Sequence, residues 1–113
     1  MIETMPQTWQ AKRTDQTREV ERVFRENGFD RADAYRYNSA AIRLRVIDPR
    51  FEGLSIAERD SMVDPIFEQL PEETQGDIMT LLTLAPSELI QTPKTFRQYA
   101  LNVEFIDPSP SLL

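Results

Sequence analysis

The sequence predicts a small α+β domain, a two-layer α/β sandwich with the element order α-β-β-α-(short α)-β and a C-terminal extension. Segments whose apolar residues have helical spacing are interleaved along the chain with segments whose apolar residues recur at every second position. A chain of 113 residues suits one hydrophobic core. Its hydrophobic content of 40% is ordinary for a globular domain.

These patterns divide the chain into three parts. Residues 1–13 have no clear period and are expected to form a loosely ordered N-terminal arm. Residues 14–91 are expected to form the domain, and residues 92–113 the C-terminal extension. The lone tryptophan of the arm, Trp9, is expected to dock on the domain, with a partner contact as the alternative.

The first helix is expected to begin at Thr14 or Asp15 and to end at Asn27, with Gly28 as its terminating residue. Its inward stripe consists of Val20, Val23 and Phe24. Its charged residues are expected to form a solvated outer face, made of Arg18, Glu19, Glu21, Arg22, Arg25 and Glu26.

Two strands that form an antiparallel hairpin should follow this helix. The first strand lies within Phe29 to Tyr37, and Asn38-Ser39 forms a tight turn. In the second strand the apolar residues Ile42, Leu44 and Val46 alternate with Arg43 and Arg45. This alternation predicts one buried face and one face in contact with water.

The second helix is expected to begin at about Ile56, after a capping box formed by Ser55 and Glu58. Pro65 interrupts the helical pattern, and we expect a kink with continuation because the apolar stripe extends past it. That stripe consists of Ile56, Val63, Phe67 and Leu70, widened by Met62 and Ile66. The polar side consists of Glu58, Arg59, Ser61 and Glu68.

A short helix, a strand and the extension complete the chain. The short helix should begin at Pro71 and end at Gly76-Asp77. Residues 78–85 are apolar at successive positions, which predicts a strand covered on both faces or a central strand. The extension should form a short helix from Thr92 and then a strand-like segment, Leu101 to Phe105. We expect this segment to pair with the edge of the chain's own sheet, the alternative being the sheet of another molecule.

One pattern of residues resembles a known family. Phe51, Gly53, Ser55, Arg59 and Val63 fit F-x-G-x-S-x-x-x-R-x-x-x-V, and Pro86-Ser87-Glu88 follows the last strand. This pattern, which extends from residue 51 to residue 88, resembles the BolA family. The resemblance implies a small α/β sandwich related in topology to type II KH domains. It also implies a partnership with monothiol glutaredoxins in handling iron–sulfur clusters, or, for some members, regulation through DNA binding.

The chain departs from that family at the cluster ligands. Asp60 and Asp77 stand where the family carries histidines, and the sequence contains neither histidine nor cysteine. Because clusters are held by thiolate, with imidazole as the usual substitute, we expect the fold without the usual cluster ligands and without a cofactor. The two aspartates are weak candidates for a hard cation such as Mg²⁺ or Ca²⁺. The simpler alternative is that they only replace lost histidines.

Four arginines are candidates for contact with a partner, namely Arg36, Arg43, Arg45 and Arg59. Arg43 and Arg45 are expected on the open face of the sheet, joined by Arg36 across the hairpin. Such a row would bind phosphate, a partner's acidic residues, or this chain's own Glu104 and Asp107. The alternative is an ordinary hydrated sheet face.

Composition narrows the classes of function. The net charge of −6 disfavours nucleic-acid binding, since attraction to phosphate supplies most of that affinity. Without histidine or cysteine the acid–base repertoire is narrow, so an enzyme is the least favoured class. No apolar run approaches the length that spans a bilayer, and no membrane partner is expected. The sequence therefore predicts a non-enzymatic, cytoplasmic interaction or regulatory module, a monomer or weak dimer.

A protein partner is expected for this module, with a monothiol glutaredoxin as the candidate that the family resemblance implies. The alternative function is that of a KH-like nucleic-acid binder or transcription regulator. The absence of a G-x-x-G loop, which clamps the nucleic-acid backbone in KH domains, disfavours that alternative.

Overall fold

The structure, a computed structural model, describes residues 9–89 and Phe105. The predicted order of helices and strands is confirmed: α1 (Asp15–Glu26), β1 (Arg31–Asn38), β2 (Ala41–Ile47), α2 (Ile56–Phe67), α3 (Glu72–Asp77) and β3 (Ile78–Leu84). Short 3-10 helices lie at Trp9–Lys12, Pro49–Phe51 and Pro86–Leu89. The first eight residues of the predicted arm, and all of the predicted extension except Phe105, lie outside the described part of the chain.

The described strands form one sheet in the order β1-β2-β3. Strands β1 and β2 are antiparallel, and the tight turn between them lies at Ser39-Ala40, one residue later than predicted, with Asn38 Oδ1 accepting the Ala40 amide at 2.8 Å. Strands β2 and β3 are parallel. A parallel pair requires a crossover, which α2 and α3 provide here.

The main core lies between the helices and one face of the sheet. Ile42, Leu44 and Val46 of β2 point into it, as the alternation predicts. Helix α1 contributes Val20 and Phe24, and the remaining fully buried members include Phe51, Val63, Ala32 and Ala34. Because α1 and α2 both pack on this face, the two-layer arrangement is confirmed.

Helix α1 has the predicted ends but not the predicted outer face. Thr14 forms a capping box with Thr17, and Gly28 follows the helix at a φ of +95°, which glycine adopts without strain. Glu21, expected in solvent, is only 1% exposed, so that expectation is wrong. Its carboxylate accepts the backbone amide of Ala34 at 2.8 Å and pairs with Arg13. These two donors compensate the burial of its charge.

Helix α2 has the predicted Ser55–Glu58 capping box and continues through Pro65 to Phe67, as expected. Its first turn is rotated relative to the prediction. Ile56, expected in the apolar stripe, is 49% exposed, whereas Arg59, expected on the polar side, is 4% exposed. Arg59 lies four positions before buried Val63 and so on the same helix face, where Thr83 and Glu88 hold its charge.

The second face of the sheet is also largely buried, so the expectation of an open, hydrated face is wrong. Ile47, Leu82 and Leu84 form one cluster on this face, with Leu89 packed against it. Burial at the C-terminal half of β3 explains why its sequence is apolar at successive positions. Among the described strands, however, the central one is β2 rather than β3.

A second cluster on that face contains Trp9, Tyr35 and Phe105. Trp9 is buried, which confirms that it docks on the domain, and this end of the predicted arm is packed. Phe105 lies in a turn rather than a strand and is 6% exposed. Of the helices within the described residues, none has the length and apolar character that crossing a membrane requires.

Candidate functional site

The residues that carry the family resemblance meet at one junction between α2 and the end of β3. Arg59 Nη1 donates to the backbone oxygen of Thr83 at 2.9 Å and to Glu88 Oε1 at 2.8 Å, and its Nη2 donates to Glu88 Oε2 at 3.1 Å. Its Nε donates to the backbone oxygen of Leu54 at 3.1 Å. The bidentate pair joins residues 29 positions apart in the sequence.

Other residues of the same pattern support this junction. The guanidinium of Arg59 lies 5.7 Å from the ring centre of buried Phe51. Glu88 Oε1 also accepts the amide of Ala85 at 2.7 Å, which fixes the chain just after β3. Gly53 has a φ of +77°, a conformation that favours glycine. The two separate parts of the pattern therefore form one structural unit.

This junction places Arg59 inside the fold, away from the surface proposed for partner contact. Its role in the described structure is to connect the first turn of α2 to β3 and to the segment after it. Sequence reasoning missed the pair, although the presence of Arg59 and Glu88 in the same family pattern was a signal for it.

Arg45 lies on the second face of the sheet, as the alternation predicts, but it is 4% exposed. Its Nη2 donates to Asp33 Oδ2 at 2.6 Å, and its guanidinium carbon lies 4.5 Å from the ring centre of Phe105. Burial lowers the pKa of Arg45, and the ion pair with Asp33 opposes that effect. The predicted exposed row of arginines is therefore wrong at this position.

Arg43 is the member of that predicted row that is partly exposed. Its guanidinium carbon lies 3.6 Å from the ring centre of Tyr37, a residue that is itself exposed. Its Nη1 lies 3.5 Å from the hydroxyl of Tyr35. Burial raises the pKa of Tyr35, while the charge of Arg43 opposes the rise. This end of the hairpin presents an arginine stacked on an aromatic ring.

Arg36 lies on the opposite face, so the expectation that it joins Arg43 and Arg45 is wrong. It is paired across the hairpin with Ile42, whose side chain points into the main core. Arg36 Nη2 donates to Asp77 Oδ2 at 2.6 Å and also to Gln16. The pair connects β1 to the end of α3 on the helix side of the sheet.

The two aspartates that replace family histidines have different surroundings. Asp77 is the partner of Arg36. Burial raises the pKa of Asp60, and the neighbouring charge of Asp64 raises it further. Within residues 9–89 and Phe105, no three acidic side chains lie together in a way that would hold a metal ion. These side chains also do not fit an iron–sulfur cluster, which requires thiolate or imidazole donors.

Two structural carboxylates were not singled out from the sequence. Asp33 is the counter-ion of Arg45, as described above. Asp48, seen in the sequence only as the end of β2, accepts the amides of Asp30 and Arg50 and the Arg50 side chain. Burial alone would raise the pKa of Asp48, but these hydrogen bonds together hold it below its usual value. Asp before Pro at the end of a strand was a signal for such a capping role.

Comparison with known proteins gives one structural likeness. No family model matches the sequence, and no curated protein sequence matches it at a significant level. The chain is similar in structure to BolA1 from Arabidopsis thaliana, with a TM-score of 0.48 and 12% identity, over 72% of this chain and 100% of that one.

Proposed function

We propose that this chain is a non-enzymatic protein-interaction or regulatory module of BolA-like architecture, with a cytoplasmic location. The observation that carries the proposal is the junction of Arg59 with Glu88, which joins the two separate parts of the family pattern in space. A chance match of short patterns gives no reason for such contact. The junction therefore supports treating residues 51–88 as one family-like unit.

The chemistry of the side chains supports a binding role over a catalytic one. The sequence supplies neither histidine nor cysteine for proton transfer or covalent catalysis. Of the four candidate arginines, Arg36, Arg45 and Arg59 each hold a carboxylate within the fold. Groups engaged in this way stabilise the fold rather than carry out chemistry.

The partner that we propose first is a monothiol glutaredoxin, contacted without ligation of its cluster. The class of partner follows from the family resemblance. We do not expect this chain to ligate the partner's cluster, because Asp60 and Asp77 are hard oxygen donors. Size-exclusion chromatography of the chain with a cluster-loaded monothiol glutaredoxin tests the pairing. Co-elution supports it, and separate elution at concentrations of about 100 μM excludes all but weak complexes.

A nucleic-acid interface is the second candidate, favoured by one observation. Arg43 stacked on exposed Tyr37 is an arrangement on which a nucleobase can also stack. The net charge of −6 opposes it. Retention on a single-stranded nucleic-acid matrix that decreases with salt, and that Tyr37→Ala weakens, would favour this candidate over the first. If the protein is not retained on the matrix at low salt, the nucleic-acid candidate is excluded.

A further inference from the structure

We propose that Trp9, Tyr35 and Arg45 form a docking site for an aromatic side chain of an acidic partner peptide, and that Phe105 is an internal occupant which such a peptide displaces. We call these three residues the aromatic site. The proposal deepens the interaction function proposed above by naming a surface and a class of partner, and it does not depend on glutaredoxin being that partner.

The aromatic site surrounds one aromatic ring, that of Phe105. The ring centre of Phe105 lies 5.3 Å from that of Trp9 and 5.3 Å from that of Tyr35, both in edge-to-face arrangements. The guanidinium carbon of Arg45 lies 4.5 Å from the same ring centre. Edge-to-face contacts and a cation over the ring are the contacts that favour an aromatic occupant over an aliphatic one.

Two walls of the aromatic site belong to the sheet, and the third belongs to a short helix. Tyr35 belongs to β1, and Arg45 belongs to the central strand β2. The ion pair with Asp33 fixes the guanidinium of Arg45. Trp9 belongs to the 3-10 helix that precedes α1. A site held by these elements remains formed when the ring is withdrawn, so a second ring can enter it.

Phe105 reaches the site from far along the chain. It lies 16 positions after Leu89, which is the last described residue before it (105 − 89 = 16). Because Phe105 belongs to the same chain, its binding to the site is intramolecular, like that of a tethered ligand. A tethered ligand competes with free peptides, and a partner must gain additional contacts to displace it.

Two unsatisfied donors beside the site show where such a gain is available. Among the described residues, Trp9 Nε1 and Arg13 Nε are the buried side-chain polar atoms without a hydrogen-bond partner. They are neighbours, since the guanidinium carbon of Arg13 lies 5.8 Å from the ring centre of Trp9. Supplying an acceptor to one buried donor is worth about five- to a hundredfold in affinity. In the described structure neither donor has an acceptor.

The unsatisfied donors also indicate the chemistry of the partner. Both are N–H groups, so they require oxygen acceptors, and a carboxylate is the strongest acceptor that a peptide offers. Arg13 and Arg45 are each already paired with a carboxylate of the fold, Glu21 and Asp33 respectively, so the preference for an acidic partner rests on these two unsatisfied N–H groups. The segment that carries Phe105 has the same composition in sequence, with Glu104 before the aromatic residue and Asp107 two positions after it. An aromatic residue flanked by acids is therefore the motif that we expect in the partner.

The test uses Trp9, the sole tryptophan of the chain, as a reporter inside the site. The probe is a synthetic peptide that copies residues 100–110, ALNVEFIDPSP, which contains no tryptophan. It is titrated into the full chain and into the full-length Phe105→Ala variant, whose folding is checked by far-ultraviolet circular dichroism. The control peptide carries alanine in place of its phenylalanine. Phe105→Leu serves as a second variant in case Phe105→Ala does not fold.

We expect Phe105→Ala to shift the emission of Trp9 to longer wavelength and the probe peptide to reverse that shift. The wild-type chain should bind the probe at least tenfold more weakly, because its own Phe105 competes. The control peptide should have no effect, and a peptide with glutamine and asparagine in place of its two acids should bind more weakly than the probe.

Three results would overturn the proposal. The first is a folded variant with an emptied site that does not respond to the probe. The second is equal binding of the probe and of its uncharged version, which would contradict an acidic partner. The third is a wild-type dimer whose mass falls to that of a monomer in Phe105→Ala, which would make the occupant a second copy of the chain. A failure of glutaredoxin to co-elute leaves these peptide results unaffected, so the two proposals fail separately.

Discussion

Replacing Glu88 by glutamine removes the negative charge opposite Arg59 while preserving the shape of the side chain. The Arg59 side chain is 5% exposed and that of Glu88 is 29% exposed, so this variant leaves a buried cation without its counter-ion. Breaking a fully buried pair costs about 3–5 kcal/mol. The contacts of Arg59 with the backbone oxygens of Leu54 and Thr83 remain, and Glu88 is partly solvated. We therefore expect Glu88→Gln to lose ~2–3 kcal/mol of unfolding free energy.

That loss is a large share of the roughly 5–15 kcal/mol that stabilises a typical domain. It corresponds to a decrease of roughly 10 °C or more in melting temperature for a chain of this size. Urea denaturation followed by Trp9 fluorescence measures the free energy, and far-ultraviolet circular dichroism provides an independent signal. Coincident transitions by the two probes would justify a two-state analysis.

The matched control is Arg22→Gln. Arg22 is likewise paired with carboxylates, those of Glu19 and Glu26, but these pairs lie on the exposed surface of α1. Exposed pairs of this kind contribute little, so its urea midpoint should match that of the wild type. Combining Glu88→Gln with Arg59→Met should cost less than the sum of the single changes, since the double variant contains no unpaired buried charge. A Glu88→Gln midpoint equal to that of the control would refute the structural role of the junction.

Three further outcomes are expected. Glu21→Ala should lose about 2–3 kcal/mol of unfolding free energy in urea denaturation, because the Ala34 amide and Arg13 lose a buried acceptor; a loss below 0.5 kcal/mol would contradict this. Asp60→Asn should raise the melting temperature at pH 7. The folded-state pKa of Asp60 is raised, so ionisation of this carboxyl destabilises the fold as the pH rises above its unfolded-state pKa. The gain should vanish at acid pH, where the wild-type carboxyl is protonated. An equal gain at pH 3 would contradict that cause. Adding Mg²⁺ or Ca²⁺ should leave the melting temperature unchanged, since Asp77 is engaged by Arg36; a rise that Asp77→Asn abolishes would show a cation site.

Local sequence signals predicted the elements well. The Ser55–Glu58 capping box, the tight turn after Asn38 and the glycine after α1 each depend on residues within a few positions of one another. Such signals act through hydrogen bonds and backbone geometry inside a single segment. They therefore remain valid whatever the rest of the chain does.

The surroundings of the charged residues could not be predicted in the same way. Glu21 and Arg59 were assigned to solvent because they are charged, although Glu21 lies three positions before Phe24 and Arg59 four positions before Val63. Each is buried because a partner from another element meets it. Arg45 is buried on a face that the strand pattern alone marks as hydrated, because Asp33 and Phe105 cover it. These contacts join residues distant in sequence, and periodicity contains no information about them.

The face on which Arg36 lies is set by an irregularity in the hairpin. Asn38 pairs with Ala41, and a regular ladder from that pair would place Arg36 opposite Arg43, on the face that was expected. The register shifts between Arg36 and Asn38, so Arg36 pairs with Ile42 and lies on the side of the core residues.

Our central proposal is that this chain is a BolA-like interaction module that lacks the ligands of an iron–sulfur cluster. The most direct measurement is a titration of a cluster-loaded monothiol glutaredoxin with this chain, followed by visible circular dichroism. We expect the cluster spectrum to remain unchanged while the two proteins co-elute, because no thiolate or imidazole is available to replace a ligand. A changed cluster spectrum that Asp77→Asn abolishes would contradict the account, since a carboxylate of this chain would then ligate the cluster.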